Sequence, residues 1–440
     1  MELFIKISQF VVSFSLLILI HEFGHFIFAR MFGIRVDKFY LFFNPWFTPF
    51  KFKYKGTESG IGWLPFGGYC KIAGMVDESM DTDALSQPPK PDEFRSKPAW
   101  QRLLVMVGGV LMNVVLATLI YIGASWKWGQ EYLYNPGMTD GNVFNALGQE
   151  IGFRNGDRIL SVDGIQYEDY GEMVQALLLD AGEPVQVLRG ADTLTLTIAE
   201  EFMSRMLGEE NRDFIFPRTA FIVGKIAKDG TATDSDLRKD DRIVGIDSVR
   251  MPYFDEFIAA LAAHAGQRVT LAVERDGTLL HIPVAVSPEG KIGVENHGAL
   301  DLPTRARKYT FAQAVPAGFN RAGREIGKYW KQVRLIFNPR TEAYKSVGGI
   351  MSIGNFFPDY WDWQTFWNIT AFLSIVLAIM NLIPIPGLDG GHVLFLLWEV
   401  ITRRKPSEKF LENATVAGFF FIILILLLAN GNDIYRFFIK

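Results

Sequence analysis

Four stretches of this chain, roughly 4–29, 102–124, 365–386 and 414–430, stay apolar for the length a helix needs to cross a bilayer, about 20 residues. No other feature limits the fold as much. Inside hydrocarbon every backbone N–H and C=O must be paired within its own segment, so each run is expected to be a transmembrane helix. Hydrophobic residues make up 49% of the 440 and aromatic residues 14%. That is rich for a soluble chain, and the fold class expected is an α-helical polytopic membrane protein with four transmembrane helices. The first run follows Lys6 as a secretory leader would, but no small-residue cleavage site comes after it and His-Glu-Phe-Gly-His occupies that place. It reads as a retained span.

Basic residues crowd the loop after the first span (Arg30, Arg35, Lys38, Lys51, Lys53, Lys55) and the loop after the third (Arg403, Arg404, Lys405, Lys409). Those loops are expected in the cytosol. Trp126 and Trp128, with Trp361, Trp363 and Trp367, then form an aromatic belt at the opposite interface, where both termini would lie. Residues 305–345 are also basic yet fall on the outer side, as long translocated regions can. The formal charge of −4 is nearly balanced and the cations are scattered over several loops, which argues against nucleic-acid partners. The single cysteine, Cys70, excludes both an internal disulfide and a thiolate metal cluster.

Residues 130–300 are polar, with Gly/Asp turns between short runs of Val, Ile and Leu, and they repeat. Phe153–Asp163 aligns with Leu237–Asp247 at an offset of 84 residues, and the same offset pairs Glu172 with Glu256, Leu177 with Leu261 and Gly182 with Gly266. Each copy reads turn, strand, turn, helix, strand, strand. The phrase Gly156-Asp157-Arg158-Ile159-Leu160 through Val162-Asp163-Gly164, followed by an amphipathic helix, resembles PDZ domains, which bind extended peptides along a sheet edge. In the second copy Asp240 and Ser248 replace glycines, so the phrase alone does not fix the turn geometry or a ligand groove there. A pair of rigid spacers without ligands is the competing reading.

His21 and His25 are four apart, which on a helix places both imidazoles on one face. Two neutral imidazoles can share one zinc ion, and a catalytic zinc site takes three protein ligands and leaves a fourth position for water. Glu22 lies next to the first histidine, where a carboxylate can take the water's proton and return it to a leaving amine. That is the chemistry of amide hydrolysis. The motif interrupts an apolar run, where ionisable groups are costly and usually functional. An interfacial histidine pair snorkelling to water is the bland alternative. A third ligand must come from another span, and the end of the third, Asn381-Leu382-Ile383-Pro384-Ile385-Pro386-Gly387-Leu388-Asp389-Gly390-Gly391-His392, must unwind. Asp389 and His392 are both candidates, and spacing does not choose between them.

Taken in order, His21-Glu22-Phe23-Gly24-His25, the tandem repeat, Asn381 through Pro386 and Leu388-Asp389-Gly390 resemble the site-2 protease family of intramembrane zinc metalloproteases. The resemblance covers nearly the whole chain. It implies Zn2+ held by His21, His25 and Asp389, with His392 outside the ligand set, Glu22 as general base and Asn381 as a substrate contact. Gly60–Lys71 is similar to the family's membrane-re-entrant β-hairpin, which makes Gly67 and Gly68 substrate-binding candidates. An ordinary cytosolic turn is the competing reading for that stretch. Gly108-Gly109-Val110-Leu111-Met112-Asn113 lacks the proline of a related family motif, which lowers the weight on Asn113.

The resemblance further implies an enzyme of the bacterial inner membrane, with PDZ-like domains outside and the active site toward the cytosol. Single-span membrane proteins such as anti-sigma factors and remnant signal peptides would be its substrates, in regulated intramembrane proteolysis and stress signalling. The PDZ-like domains would take peptide ligands or filter substrates by size. The map expected is a first span over 1–30, a cytosolic loop over 31–101 with the hairpin near 58–74, and a second span over 102–126. PDZ-like domains over 130–213 and 214–298 follow, then an amphipathic outer region over 299–360, a third span over 361–392, a cytosolic loop over 393–413 and a fourth span over 414–432. A catalytically silent PDZ scaffold is the alternative, disfavoured because His21, Glu22, His25 and Asp389 are all present. A metal transporter would need polar residues along several spans, whereas here they gather at one depth.

Overall fold

The computed structural model describes residues 1–65, 67–75, 88–206 and 213–438. Two units arise from it, residues 1–130 with 308–333 and 347–440, and residues 131–307 with 334–346.

In the first unit, helices Glu2–Met31, Ala99–Lys127 and Trp363–Leu382, with Lys409–Tyr435 of a final helix, are long and apolar enough to cross a membrane. These are the four spans expected, each longer at one end or both except the third. The third stops at Leu382 because Pro384 and Pro386 cannot donate to a helical carbonyl, and Ile383 is already extended. A separate helix, Asp389–Thr402, takes in the last residues of the third span expected over 361–392 and the start of the loop expected over 393–413. Its Val393–Ile401 run is apolar enough to pack once the chain has turned. A Cβ on Gly390 would lie 2.1 Å from the Ile383 carbonyl oxygen and one on Gly391 2.6 Å from Pro386 Cα, so only glycine lets the chain fold back this tightly.

The first and second spans meet backbone to backbone, since a Cβ on Gly24 would fall 2.2 Å from the Gly108 carbonyl oxygen. Small residues at a crossing allow such close packing in lipid, where apolar side chains gain little by leaving hydrocarbon. Ser13 and Thr370 share a buried hydrogen bond of 3.0 Å between the first and third spans. At the Asp389–Thr402 helix, Arg102 of the second span pairs with Glu399.

Between the first two spans lies a four-stranded sheet of order β2-β3-β1-β4, made of β1 (Val36–Leu41), β2 (Phe50–Tyr54), β3 (Thr57–Ile61) and β4 (Tyr69–Ile72). β1 runs parallel to β3 and antiparallel to β4, with Phe39 opposite Cys70. Phe66, within the expected hairpin, lies outside the described residues. Helix Phe311–Ile336 buries Ala314, Gly318 and Ala322 on one side. That small-residue side meets the second span, where Gly318 abuts Ile122 and the Arg321 guanidinium sits 4.4 Å above the Tyr121 ring. Phe319 and Trp330 remain exposed.

The second unit contains two hydrophobic cores, one around Phe144, Phe153, Leu177 and Val187, the other around Phe221, Phe257, Leu261 and Leu271. Strands start at Arg158 and Arg242, helices at Tyr170 and Phe254, and following strands at Pro184 and Arg268, all at the repeat offset. The turn before the strand has a left-handed residue at the same place in both halves, although Asp240 replaces the glycine in the second. Gly156 has φ +91° and Asp240 φ +69°, and a short polar side chain is among the few that tolerate this left-handed backbone. Beside that turn Arg189 grips buried Asp157 and Arg275 grips buried Asp241. Burial pushes the Asp241 carboxyl up, but the Arg275 fork and the Arg238 N–H outweigh it and hold the group below the usual carboxylate range.

Candidate zinc site

His21 and His25 project from one face of the first span, both buried. Their Nε2 atoms are 3.3 Å apart. Asp389, the first residue of its short helix, brings Oδ2 to 3.1 Å from His21 Nε2 and 3.2 Å from His25 Nε2. A carboxylate is favoured at a helix N-terminus by the exposed N–H groups there. Among the described residues these three form the one group able to hold a metal ion together. His392 stays outside it.

The donor set fits zinc. His25 Nδ1 faces the Val105 carbonyl at 2.9 Å, and a carbonyl can only accept, so Nδ1 carries the ring hydrogen and Nε2 turns a lone pair toward the cluster. Asp389 Oδ2 is buried there without a hydrogen-bond donor. Lone pairs gathered on one point call for a cation. Ligands at about 2.0–2.1 Å in a tetrahedron would be roughly 3.3 Å apart, close to the three separations found.

Glu22 points toward the sheet. The Cys70 N–H of β4 donates to its carboxylate, and a Cβ on Gly68 would lie 3.5 Å from Glu22 Cγ and 2.8 Å from Ile18 Cγ2. Gly67, at φ +155°, leaves room for the Phe43 ring. Asn381, on the last turn of the third span, places its amide nitrogen 3.4 Å from His21 Nε2. Thus Asp389 and Asn381 lie at the histidine pair, whereas Gly67 and Gly68 lie on the Glu22 side.

Gly109 was not singled out by sequence. A Cβ there would fall 2.5 Å from His25 Nε2 and 2.6 Å from His21 Cε1, so the second span can back the histidines only without a side chain. The Gly-Gly pair was the available signal, but a packing role and a site role read alike in sequence. Gly109→Ala is expected to displace both rings and to reduce zinc retention and turnover together, the latter by about 10²-fold for a misplacement near 1 Å. Gly123→Ala, with open space around its Cβ, is the control. Zinc content by metal analysis checks this, and an undiminished Gly109→Ala site would refute it.

Comparison with known proteins identifies a family. The pattern of Peptidase family M50 matches residues 9–425. The regulator of sigma-E protease RseP of Escherichia coli (strain K12) is 26% identical over 473 residues, covering 98% of each chain. Protease RseP of Yersinia pestis is 25% identical over 469 residues, 99% of this chain and 100% of that protein. A Clostridium perfringens protein provisionally named a zinc metalloprotease is 26% identical over 426 residues, 96% of each. With four apolar helices of spanning length and this match across nearly its whole length, the chain belongs to peptidase family M50, the site-2 proteases, and is a zinc-dependent metalloprotease of the membrane.

Proposed function

We propose that this protein cuts single-span membrane proteins within the bilayer, with His21, His25 and Asp389 holding the zinc ion and Glu22 serving as general base. The observation that carries this reading is the convergence of His21, His25 and Asp389 on one point inside a bundle of membrane-spanning helices. A zinc ion held there would lower the pKa of a water at the open position to about 7 and so supply a nucleophile at neutral pH. Glu22 takes the proton of the attacking water and passes it to the leaving amine. The Cys70 N–H fixes the carboxylate for that exchange.

A transmembrane helix satisfies its own backbone, so its peptide bonds are inaccessible until it unwinds locally. The Gly60–Lys71 stretch joins β3 to β4, which pair on either side of β1 and not with each other as a hairpin would, and at Gly67 and Gly68 it receives the unwound segment beside Glu22. Asn381 contacts that segment from the other side of the histidines. The repeats at 130–213 and 214–298 are PDZ-like domains on the outer face, and the cluster lies toward the cytosol, as the basic loops suggest. They limit access to substrates whose outer part has been trimmed. Anti-sigma factors are one substrate class and remnant signal peptides another, in stress signalling; the Escherichia coli relative's name, a regulator of sigma-E protease, is in keeping with a link to sigma factors.

The test is cleavage of a defined single-span substrate co-reconstituted in lipid, with the products mapped by mass spectrometry. The scissile bond is expected inside the apolar segment, with activity abolished by a zinc chelator and restored by zinc. Cuts confined to the flanking soluble parts would overturn the reading.

A further inference from the structure

Asn113 lies one helical turn beyond Gly109 on the second span and is completely buried. Its carboxamide nitrogen is 3.3 Å from His21 Nδ1, the ring atom facing away from the cluster. Its carboxamide oxygen is buried with no hydrogen-bond partner. Ser374 of the third span donates to the Asn113 backbone carbonyl at 2.8 Å, which fixes this residue between the two spans.

What the Asn113 side chain must do depends on His21, and this step rests on the proposed ligand role of His21. A neutral imidazole has one N–H and one lone pair. His21 turns Nε2 toward Asp389 and His25. If that atom gives its lone pair to zinc, the ring hydrogen sits on Nδ1, facing Asn113. An amide nitrogen there sets N–H against N–H. The amide oxygen removes the conflict. The two ends of a carboxamide have nearly the same shape, so a half-turn about its Cβ–Cγ axis exchanges them without repacking. Histidine ligands of metals generally give their second ring N–H to an acceptor, which fixes tautomer and ring orientation. At His25 the Val105 carbonyl fills that place.

We infer that Asn113 is the positioning residue for His21: with zinc bound, its carboxamide oxygen accepts the Nδ1–H of His21 and holds the ring in the tautomer that ligates through Nε2. With zinc away, the nitrogen end donates to Nδ1 of the other tautomer. The carboxamide, having both a donor and an acceptor, serves both states where a carbonyl or a lysine could serve only one.

Zinc affinity of the full-length protein, measured against a competing chelator in detergent, tests this. Asn113→Asp keeps an acceptor of the same shape and is expected to bind zinc as tightly as wild type or tighter. Asn113→Leu fills the same space without an acceptor and is expected to lose about 10–100-fold in zinc affinity. Nitrogen NMR of histidine-labelled, zinc-loaded wild type is expected to show a protonated Nδ1 on His21. Wild-type affinity in Asn113→Leu, equal losses in both variants, or an unprotonated Nδ1 would each overturn the inference. The NMR result on wild type decides it if Asn113→Leu does not fold. His21→Ala separates the two layers. Full zinc retention there sinks the ligand reading and this inference together, whereas zinc loss there with unchanged affinity in Asn113→Leu sinks the inference alone.

Discussion

Glu22→Gln is expected to keep a full complement of zinc and to cut its substrate about 10²–10⁴-fold more slowly, the range contributed by a positioned general base. Glu22 is next in sequence to His21 but is not one of the three converging groups. On a helix, neighbouring side chains point about 100° apart, so Glu22 is turned from the ligand pair toward β4. Glutamine has the same length and still accepts from the Cys70 N–H, so local structure is preserved. What it lacks is a site for the water's proton, and without that site the amine cannot be protonated as it leaves. Metal content and single-turnover cleavage of a reconstituted substrate check this directly. Turnover within a few-fold of wild type would remove Glu22 from the mechanism and leave the metal assignment standing.

Asp389→Ala is expected to act differently, with zinc and cleavage falling together. Its Oδ2 supplies one of only three converging donor atoms, so the loss in zinc affinity should exceed the roughly 10–100-fold seen for outer-shell partners of a metal site. The variant also leaves two imidazoles facing a buried space that a third donor had completed. His392→Ala, on the same short helix and outside the cluster, is expected to keep zinc. This pair decides between the two candidates that spacing alone left open. Zinc retained in Asp389→Ala and lost in His392→Ala would reverse the assignment.

Much of this was legible in the sequence because it depends on local rules. Apolar length marks the spans, since a bilayer core has a fixed thickness. Histidines four apart on a helix share a face whatever surrounds them. The repeat was visible for a similar reason, since turn residues and core positions recur at the same spacing in both halves. At Asp240, where aspartate replaces the glycine and the phrase left the turn open, the left-handed backbone is kept, since a short polar side chain tolerates it. The sequence places the first four residues of helix Asp389–Thr402 at the unwound end of the third span and the rest in a loop, because the glycines and the preceding prolines look like the end of a helix. They mark instead a tight reversal between two helices.

The sequence by itself determined the membrane class, the pair His21 and His25 with Glu22 beside them, and two rival third ligands. Spacing left that choice open and only the family resemblance favoured Asp389; the tertiary structure brings Asp389 and not His392 to the histidines, because that depends on how a broken helix near the end of the chain docks against one at its beginning. It also decided that Gly109 must lack a side chain and that Asn113 stands behind His21. These are contacts between helices far apart in sequence, set by close packing and by the pairing of buried polar atoms. No local pattern encodes them, since a glycine or an asparagine in a span has the same local preference whether it faces lipid, a neighbouring helix or a ligand.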